Sequence, residues 1–406
     1  MLSSRLPPNL TPNALSAAVV RAFAKGRPLA DLTLSNPTRA GLPYPLDLLT
    51  PLADPAGLAY EPEPLGKWTA REAVASDYAR RGLTVTPERV CLTASTSEAY
   101  ALLFKLLCDP GDAVLVPQPS YPLFEHLTAL ECVRAVPYEL ELHGGWRLDV
   151  SAIAGALDER TRAILVVSPN NPTGSVLQAS ELEALVELCA SRDIALIGDE
   201  VFADYRLDGA SPPPRAGLVQ HAPGAHASTT VSVLQQQRAL AFGLGGLSKS
   251  VGLPQVKVAW IGVSGPDARV AEALAGLEIV ADTFLSVSTP AQVALPRLLT
   301  HGAVVREAIR DRTIRNLTAL ARAVANAPAV TLLPPAGGWC AVLQVPSILS
   351  EEALVLTLLE QDGVLVQPGY FFDFPREAYL VMSLLVEPAT FDGGVALVLD
   401  RAMDGA

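Results

Sequence analysis

Lys249 stands in the run Leu247-Ser248-Lys249-Ser250, in a chain whose other lysines are only Lys25, Lys67, Lys105 and Lys257. An apolar run and the pair Gly245-Gly246 precede it, which places it where a strand ends and a loop begins. Open α/β sheets bind ligands at such carboxyl ends. A lysine partly stripped of water there has a lowered pKa and a usable amine nucleophile; a solvated loop lysine fits the same pattern. Ser168-Pro169-Asn170-Asn171-Pro172-Thr173-Gly174 follows another apolar run and must turn, which leaves two amides at a strand end. Turns also use Asn and Pro for purely conformational reasons. Ile197-Gly198-Asp199-Glu200 closes a third apolar run. A carboxylate entering from such a run is costly to bury without a cationic group, or else it ends the strand at the surface. Finally, Thr93-Ala94-Ser95-Thr96-Ser97-Glu98 offers hydroxyls and unpaired N–H groups at a helix start, a site suited to phosphate. The same residues serve equally as ordinary N-caps.

These segments need a scaffold, and the pattern supplies one. Ala113–Val116, Ala163–Val167, Ile194–Ile197, Leu240–Leu244 and Val258–Val263 are apolar on both faces and read as buried strands. Between them, Glu98–Leu107, Ser180–Ser191 and Asp267–Leu277 carry helical spacing. The alternation predicts α/β architecture with a mostly parallel sheet between helices. The ends differ: a helical pattern over Asn13–Ala24 and a Pro-rich turn region begin the chain, and long helices over Ala291–Ala327 precede a strand-rich tail. The expected organisation is a large α/β domain over 46–290 and a smaller α+β domain built from 1–45 and 291–406. Asp208–Ser228 is a Pro/Ala/Gly/Ser-rich loop.

Composition narrows the function. The chain has 406 residues, half of them apolar and 18% charged, which excludes a disordered or fibrous protein. Thirty Lys and Arg against 42 Asp and Glu give a net charge of −12. With no basic cluster, nucleic acid and anionic membranes are disfavoured as partners, while a local site for a small anion is compatible with an acidic surface. The five cysteines form no CxxC pair, so neither a disulfide framework nor a metal site is expected, and three of them read as small core residues. No segment has the length of a membrane span or the form of a signal peptide, which points to a cytoplasmic setting.

A nucleophilic lysine, a carboxylate, an amide and a phosphate cradle at one crevice fit a phosphorylated aldehyde with a basic ring nitrogen, pyridoxal phosphate. Lys249 would form the Schiff base and Asp199 would keep the ring nitrogen protonated. At this point the sequence resembles the class I/II aminotransferase family of fold type I, over nearly its whole length. The resemblance rests on SNPTRAGLPYP, YEPEPLGKWTAREAVA (Tyr60–Ala75), SPNNPTG, GDEVFADY and GLSKSVGLPQVKVAWIG in that order. It implies a seven-stranded-type, mostly parallel sheet, a homodimer, and exchange of an amino group between an amino acid and a 2-oxo acid. By the same resemblance Lys249 shuttles protons, Asn171 binds the ring hydroxyl oxygen, and Tyr121 stacks on the ring. Ser95, Thr96, Ser97 and Ser248 take the phosphate, and Tyr60 reaches it from the neighbouring subunit. Lys257 stands where the family has a phosphate-binding arginine; it supplies charge but not a bidentate fork.

Two departures bear on chemistry. Phe202 occupies the place of a tyrosine that donates to the ring oxygen, leaving Tyr205 as the alternative donor. Val381 occupies the place of the arginine that clamps the substrate α-carboxylate, and Arg39 and Arg376 are the available substitutes, unless both are simply surface residues. By the resemblance, relatives that take acidic substrates bind the second carboxylate with a cation from about the region of Val270–Pro296; the segment here holds neither Arg nor Lys, which disfavours such a substrate. LVQPGYFFDF (Leu365–Phe374) brings aromatic residues that suit a neutral or aromatic amino donor, or that merely fill the small domain. A β-lyase or cyclising synthase would share the same motifs. A pyridoxal-phosphate-sensing regulatory domain is disfavoured, because Arg39 lies too near Met1 for a preceding DNA-binding domain.

Overall fold

The structure, a computed structural model, describes residues 2–7, 9–24, 26, 28–142, 144–207, 231–285 and 287–404. The loop expected over Asp208–Ser228 lies outside the described residues. A two-residue strand, β1 (Ala30–Asp31), comes first. Eight strands then build the central sheet: β2 (Val90–Thr93), β3 (Ala113–Gln118), β4 (Arg134–Leu142), β5 (Trp146–Leu148), β6 (Thr161–Val167), β7 (Ala195–Asp199), β8 (Ala241–Gly246) and β9 (Ala259–Ser264). Their spatial order is β2-β9-β8-β7-β6-β3-β4-β5. The ladders from β8 through β7, β6 and β3 to β4 are parallel. The strand expected over Val258–Val263 is β9, and it runs antiparallel between β8 and β2.

The sheet has one strand more than the seven expected, because β5 folds back on β4 as an antiparallel hairpin. Neither strand was apparent in the sequence. β4 (RAVPYELEL) mixes charges with apolar residues and is half exposed, so it lacks the two-faced apolar signature of a central strand.

Successive strand residues point to opposite faces, and two separate cores result. Leu115, Ile164, Val166 and Leu196 belong to one core; Val114, Val116, Ala163, Leu165, Ala195 and Ile197 belong to the other. Ala70 and Val74 of helix Trp68–Arg80 and Leu295 and Leu298 of helix Thr289–His301 cover the first face. Helix Thr96–Leu107 and helix Asp267–Phe284 cover the second through Leu103 and Leu277. The long helical region is two helices, Thr289–His301 and Ala303–Val324, separated at Gly302.

Four further strands, β10 (Thr331–Leu333), β11 (Cys340–Gln344), β12 (Val364–Leu365) and β13 (Gln367–Pro368), precede β14 (Tyr379–Ser383). β10, β11, β14 and β13 form an antiparallel sheet in that order, and β12 pairs in parallel with β1, tying the two ends of the chain together. Helix Ala14–Ala24 packs Leu15 and Ala18 into this region's own core with Leu343, Leu380 and Val398. Among the described residues, no helix is long and apolar enough to cross a membrane.

Candidate active site

Register brings the chemistry-bearing segments to one edge of the central sheet. Val167 pairs with Asp199 and Asp199 with Leu244, at the carboxyl ends of β6, β7 and β8. Gly246 and Thr93 both pair with Ala259 at the start of β9. The turn after β6, the Asp199 carboxylate, the Lys249 segment, the helix beginning at Thr96 and Lys257 therefore share one end of the sheet.

Lys249 lies in a single helical turn, Leu247–Ser250, and not in an open loop. Two buried donors hold that turn. The Tyr205 hydroxyl donates to the Lys249 carbonyl at 2.6 Å, and Arg306 Nε donates to the Ser250 carbonyl at 2.9 Å. Arg306 is 6% exposed and lies among Asp77, Asp204 and Arg80, so its charge is compensated. Tyr205 is thereby committed to the backbone: the expectation that it could replace the tyrosine missing at Phe202 is not met. The Lys249 amine sits 5.5 Å from the Phe202 ring centre and 4.9 Å from that of Trp339. Burial lowers its pKa below the ordinary 10.5, and the Asp199 charge opposes the shift.

Asp199 receives two hydrogen bonds: the Tyr100 hydroxyl donates to Oδ2 at 2.7 Å and the Val201 N–H to Oδ1 at 3.2 Å. Burial raises its pKa, against the pull of Tyr100, Val201 and the Lys249 charge. No ion pair within 4.0 Å joins it to another described residue.

The Asn170 and Asn171 side chains have separate tasks. Asn170 is 2% exposed; its Nδ2 donates to the Pro119 carbonyl and its Oδ1 accepts from Ser120, locking the β6 turn to the one after β3. Asn171 Oδ1 accepts from the Cys340 thiol at 3.3 Å, and burial pushes that thiol up to about 12, so it keeps its proton. Gly174 ends the turn at φ +67°, and a Cβ there would meet Pro335 and the Gly337 carbonyl. That contact steers the segment carrying Trp339 and Cys340 against the turn.

Ser95 caps helix Thr96–Leu107, its Oγ accepting from the Glu98 N–H at 3.1 Å. Thr96 and Ser97 are the first two helical residues, whose N–H groups have no partner within a helix. Ser248 is half-buried in the Lys249 turn, and Lys257 is exposed with a left-handed backbone at φ +60°. Tyr121 is 44% exposed, and burial with the Asp199 charge raises its pKa. Tyr60 is 66% exposed. Arg39 and Arg376 are also exposed, and neither is joined to Lys249, Asp199 or Asn171 by a hydrogen bond or ion pair. Val381 is fully buried in β14, paired with Val342 and Gln367. Of the aromatic segment, Phe374 packs on Trp146 and Tyr379 and so fills core, while the Phe372 carbonyl accepts from the Ser120 N–H beside Tyr121.

Tyr100, Trp339, Cys340 and Arg306 were not found in the sequence. Tyr100 is a polar group within an apolar helix and Arg306 is one of several charged residues in a long helix, signals indistinguishable from tolerated exceptions and solvated charges. Of the five cysteines, only Cys91 and Cys189 are buried core residues. Cys108 is partly buried, Cys132 is exposed, and Cys340 faces the site.

The family model described as aminotransferase class I and II matches residues 59–385. The chain belongs to that family. It therefore transfers an amino group between an amino acid and a 2-oxo acid, and the class uses pyridoxal phosphate. This aminotransferase is 26% identical to glutamate-pyruvate aminotransferase AlaA of Haemophilus influenzae over 87% of its own length and 86% of that protein. It is 30% identical to arginine–pyruvate transaminase AruH of Pseudomonas aeruginosa, over 82% of its own length and 79% of the relative. An alanine aminotransferase from Pyrococcus furiosus shares its fold, with a TM-score of 0.84, 22% identity and complete coverage of both chains.

Proposed function

We propose that this aminotransferase holds pyridoxal phosphate between Asp199 and Lys249 and exchanges the amino group of a neutral or aromatic amino acid with pyruvate. The observation that carries the reading is the pairing of a half-buried carboxylate without an ion-pair partner among the described residues, Asp199, with a half-buried amine, Lys249, at the same strand ends. A protonated ring nitrogen supplies what the carboxylate lacks, so the residues fit the group. Bound there, pyridoxal phosphate supplies an electron sink for the carbon that carries the amino group.

The remaining roles fall to the chain's own side chains. Lys249 Nζ, neutral at a lower pH than a solvated lysine, would take the proton from that carbon and deliver it to the cofactor's aldehyde carbon. Asp199 holds the proton at the ring nitrogen. Asn171 Nδ2 is left to donate to the ring oxygen because Oδ1 is occupied by Cys340. The Thr96 and Ser97 N–H groups and their side chains, with Ser95, Ser248 and Lys257, receive the phosphate, and Tyr121 covers the ring. Pyruvate as acceptor is supported by the glutamate-pyruvate and arginine–pyruvate relatives. The absence of Arg and Lys from Val270–Pro296 supports a donor without a second carboxylate.

We further infer a cytoplasmic homodimer with 46–290 as the large domain and 1–45 with 291–406 as the small one. Exposed Tyr60, Leu46 and Leu58 support the dimer, and the β1–β12 ladder supports joining the two ends. The test is the visible spectrum of the protein loaded with pyridoxal phosphate, recorded on adding single amino acids and then pyruvate. The reading expects one or more neutral donors to bleach the long-wavelength band and pyruvate to restore it. A band that no α-amino acid alters would overturn the donor assignment.

A further inference from the structure

Tyr100 belongs to no motif, yet it makes the shortest hydrogen bond to Asp199. It sits in helix Thr96–Leu107, 3% exposed, with its ring 6.0 Å from Phe104 and edge-on to Phe124 at 5.5 Å. The packing aims its hydroxyl along one direction, and Asp199 Oδ2 lies there at 2.7 Å. The Val201 N–H holds the other oxygen, so both carboxylate oxygens are fixed from outside the crevice.

We propose that Tyr100 is a positioning residue for the cofactor anchor: its hydroxyl orients Asp199 toward the ring nitrogen and keeps the carboxylate ionised without neutralising it. The proposal rests on the cofactor reading given above. The physical reason is the choice of donor. A cation at this position would cancel the Asp199 charge and weaken its hold on a protonated ring nitrogen, whereas a neutral hydroxyl stabilises the ionised form and leaves the net charge in place. Burial and the Asp199 charge hold the Tyr100 phenol well above its ordinary pKa, so it remains a donor wherever the enzyme is folded. The titratable groups facing Asp199 are Tyr100 from the helix, Lys249 from the turn after β8, Tyr121 from the loop after β3, and Glu200 next to it in sequence. Of these, Tyr100 alone donates a side-chain hydrogen bond to it.

The test is the dissociation constant of pyridoxal phosphate from the full chain, measured by equilibrium dialysis between about pH 5 and about pH 8, for wild type, Tyr100→Phe and Asp199→Asn. Phenylalanine keeps the ring packing and removes only the donor. Asp199 must be ionised to hold the ring proton, so affinity falls as pH drops through its pKa. Losing one hydrogen bond to a charged group moves that acid limb up by about one pH unit and weakens binding about tenfold on the limb. Asp199→Asn loses the limb altogether. A purely structural role for Tyr100 would lower affinity evenly at every pH, and that result overturns the proposal, as does a Y100F profile matching wild type. A wild type that binds no pyridoxal phosphate overturns the cofactor reading, and this proposal with it. Should Y100F fail to fold, 3-fluorotyrosine at position 100 is the second variant. It is a stronger donor, so the acid limb must move down in pH, and an unmoved limb rejects the proposal.

Discussion

The two walls of the crevice are built differently. On the wall formed by the ends of β6, β7 and β8, Asp199, Asn171 and the Lys249 turn are each held by hydrogen bonds. Tyr205 and Arg306 hold the Lys249 turn, Tyr100 and Val201 hold Asp199, and Cys340 holds Asn171. By the resemblance, the other wall would come from β14 and the Pro-rich segment near the N-terminus; there the position where a carboxylate clamp is implied is Val381, buried in core. The two arginines nearest in sequence to that task, Arg39 and Arg376, are exposed. The contrast teaches that the groups proposed to serve the cofactor are fixed by several converging hydrogen bonds. On the substrate side, Val381 stands where the resemblance implies a cation.

The largest effect falls on the first wall. Lys249→Ala removes the amine proposed to move the proton, and single-turnover amino transfer is expected to slow by about 10³-fold or more. Circular dichroism should stay unchanged, since the turn is held through backbone carbonyls and not through the Lys249 side chain. A K249A enzyme within tenfold of wild type, on the order of 1.4 kcal/mol of barrier, would mean that the densest network of the site serves structure alone.

On the second wall the natural experiment is Val381→Arg, which restores the implied residue. Val381 lies between Val342 and Gln367 with no acid beside it in the ladder, so a guanidinium there is an unpaired buried charge. Denaturant unfolding should show a loss of about 3–5 kcal/mol. If V381R instead folds as well as wild type and lowers KM for an α-amino acid, the pocket for a carboxylate is already built. The contrast between the walls then disappears.

What could be read in advance follows the same division. The parallel core strands were legible because Ala163–Val167 and Ile194–Ile197 are apolar on both faces, a pattern set by burial between two helical layers. Lys249, Asp199 and Asn171 were legible because each lies at or just beyond the end of such a strand. β4 and β5 were not, since a half-exposed edge hairpin carries charges that blur its period. Tyr100 and Tyr205 were not, because their value lies in where the hydroxyl ends up: 99 and 44 residues along the chain from the groups they bind. A single sequence carries no signal for such a distance.

The Lys249 amine also gives a pH signature. Its folded pKa lies below the ordinary 10.5 through burial, so the unfolded chain binds the extra proton in the window between the two values. Stability of the cofactor-free protein therefore rises with pH across that window, at up to about 1.4 kcal/mol per pH unit. Lys249→Met should lack this slope, and urea midpoints of the pair should converge toward alkaline pH. Parallel curves would mean that the amine is solvated after all and that the Phe202 and Trp339 walls do not exclude water.

The smallest effect concerns Arg39 and Arg376. Both are exposed, and exposed charges contribute little when removed, so each alanine variant should unfold within about 0.5 kcal/mol of wild type. The informative quantity is KM for the amino donor. Neither arginine forms a hydrogen bond or ion pair with Lys249 or Asn171, and the expected outcome is a KM that changes by less than about threefold, or roughly 0.65 kcal/mol. A tenfold rise in KM for one variant at constant kcat would show ground-state and transition-state binding lost together. That arginine would then belong to the recognition wall through a movement that closes on substrate, and the two walls would differ in when they are assembled and not in whether they are.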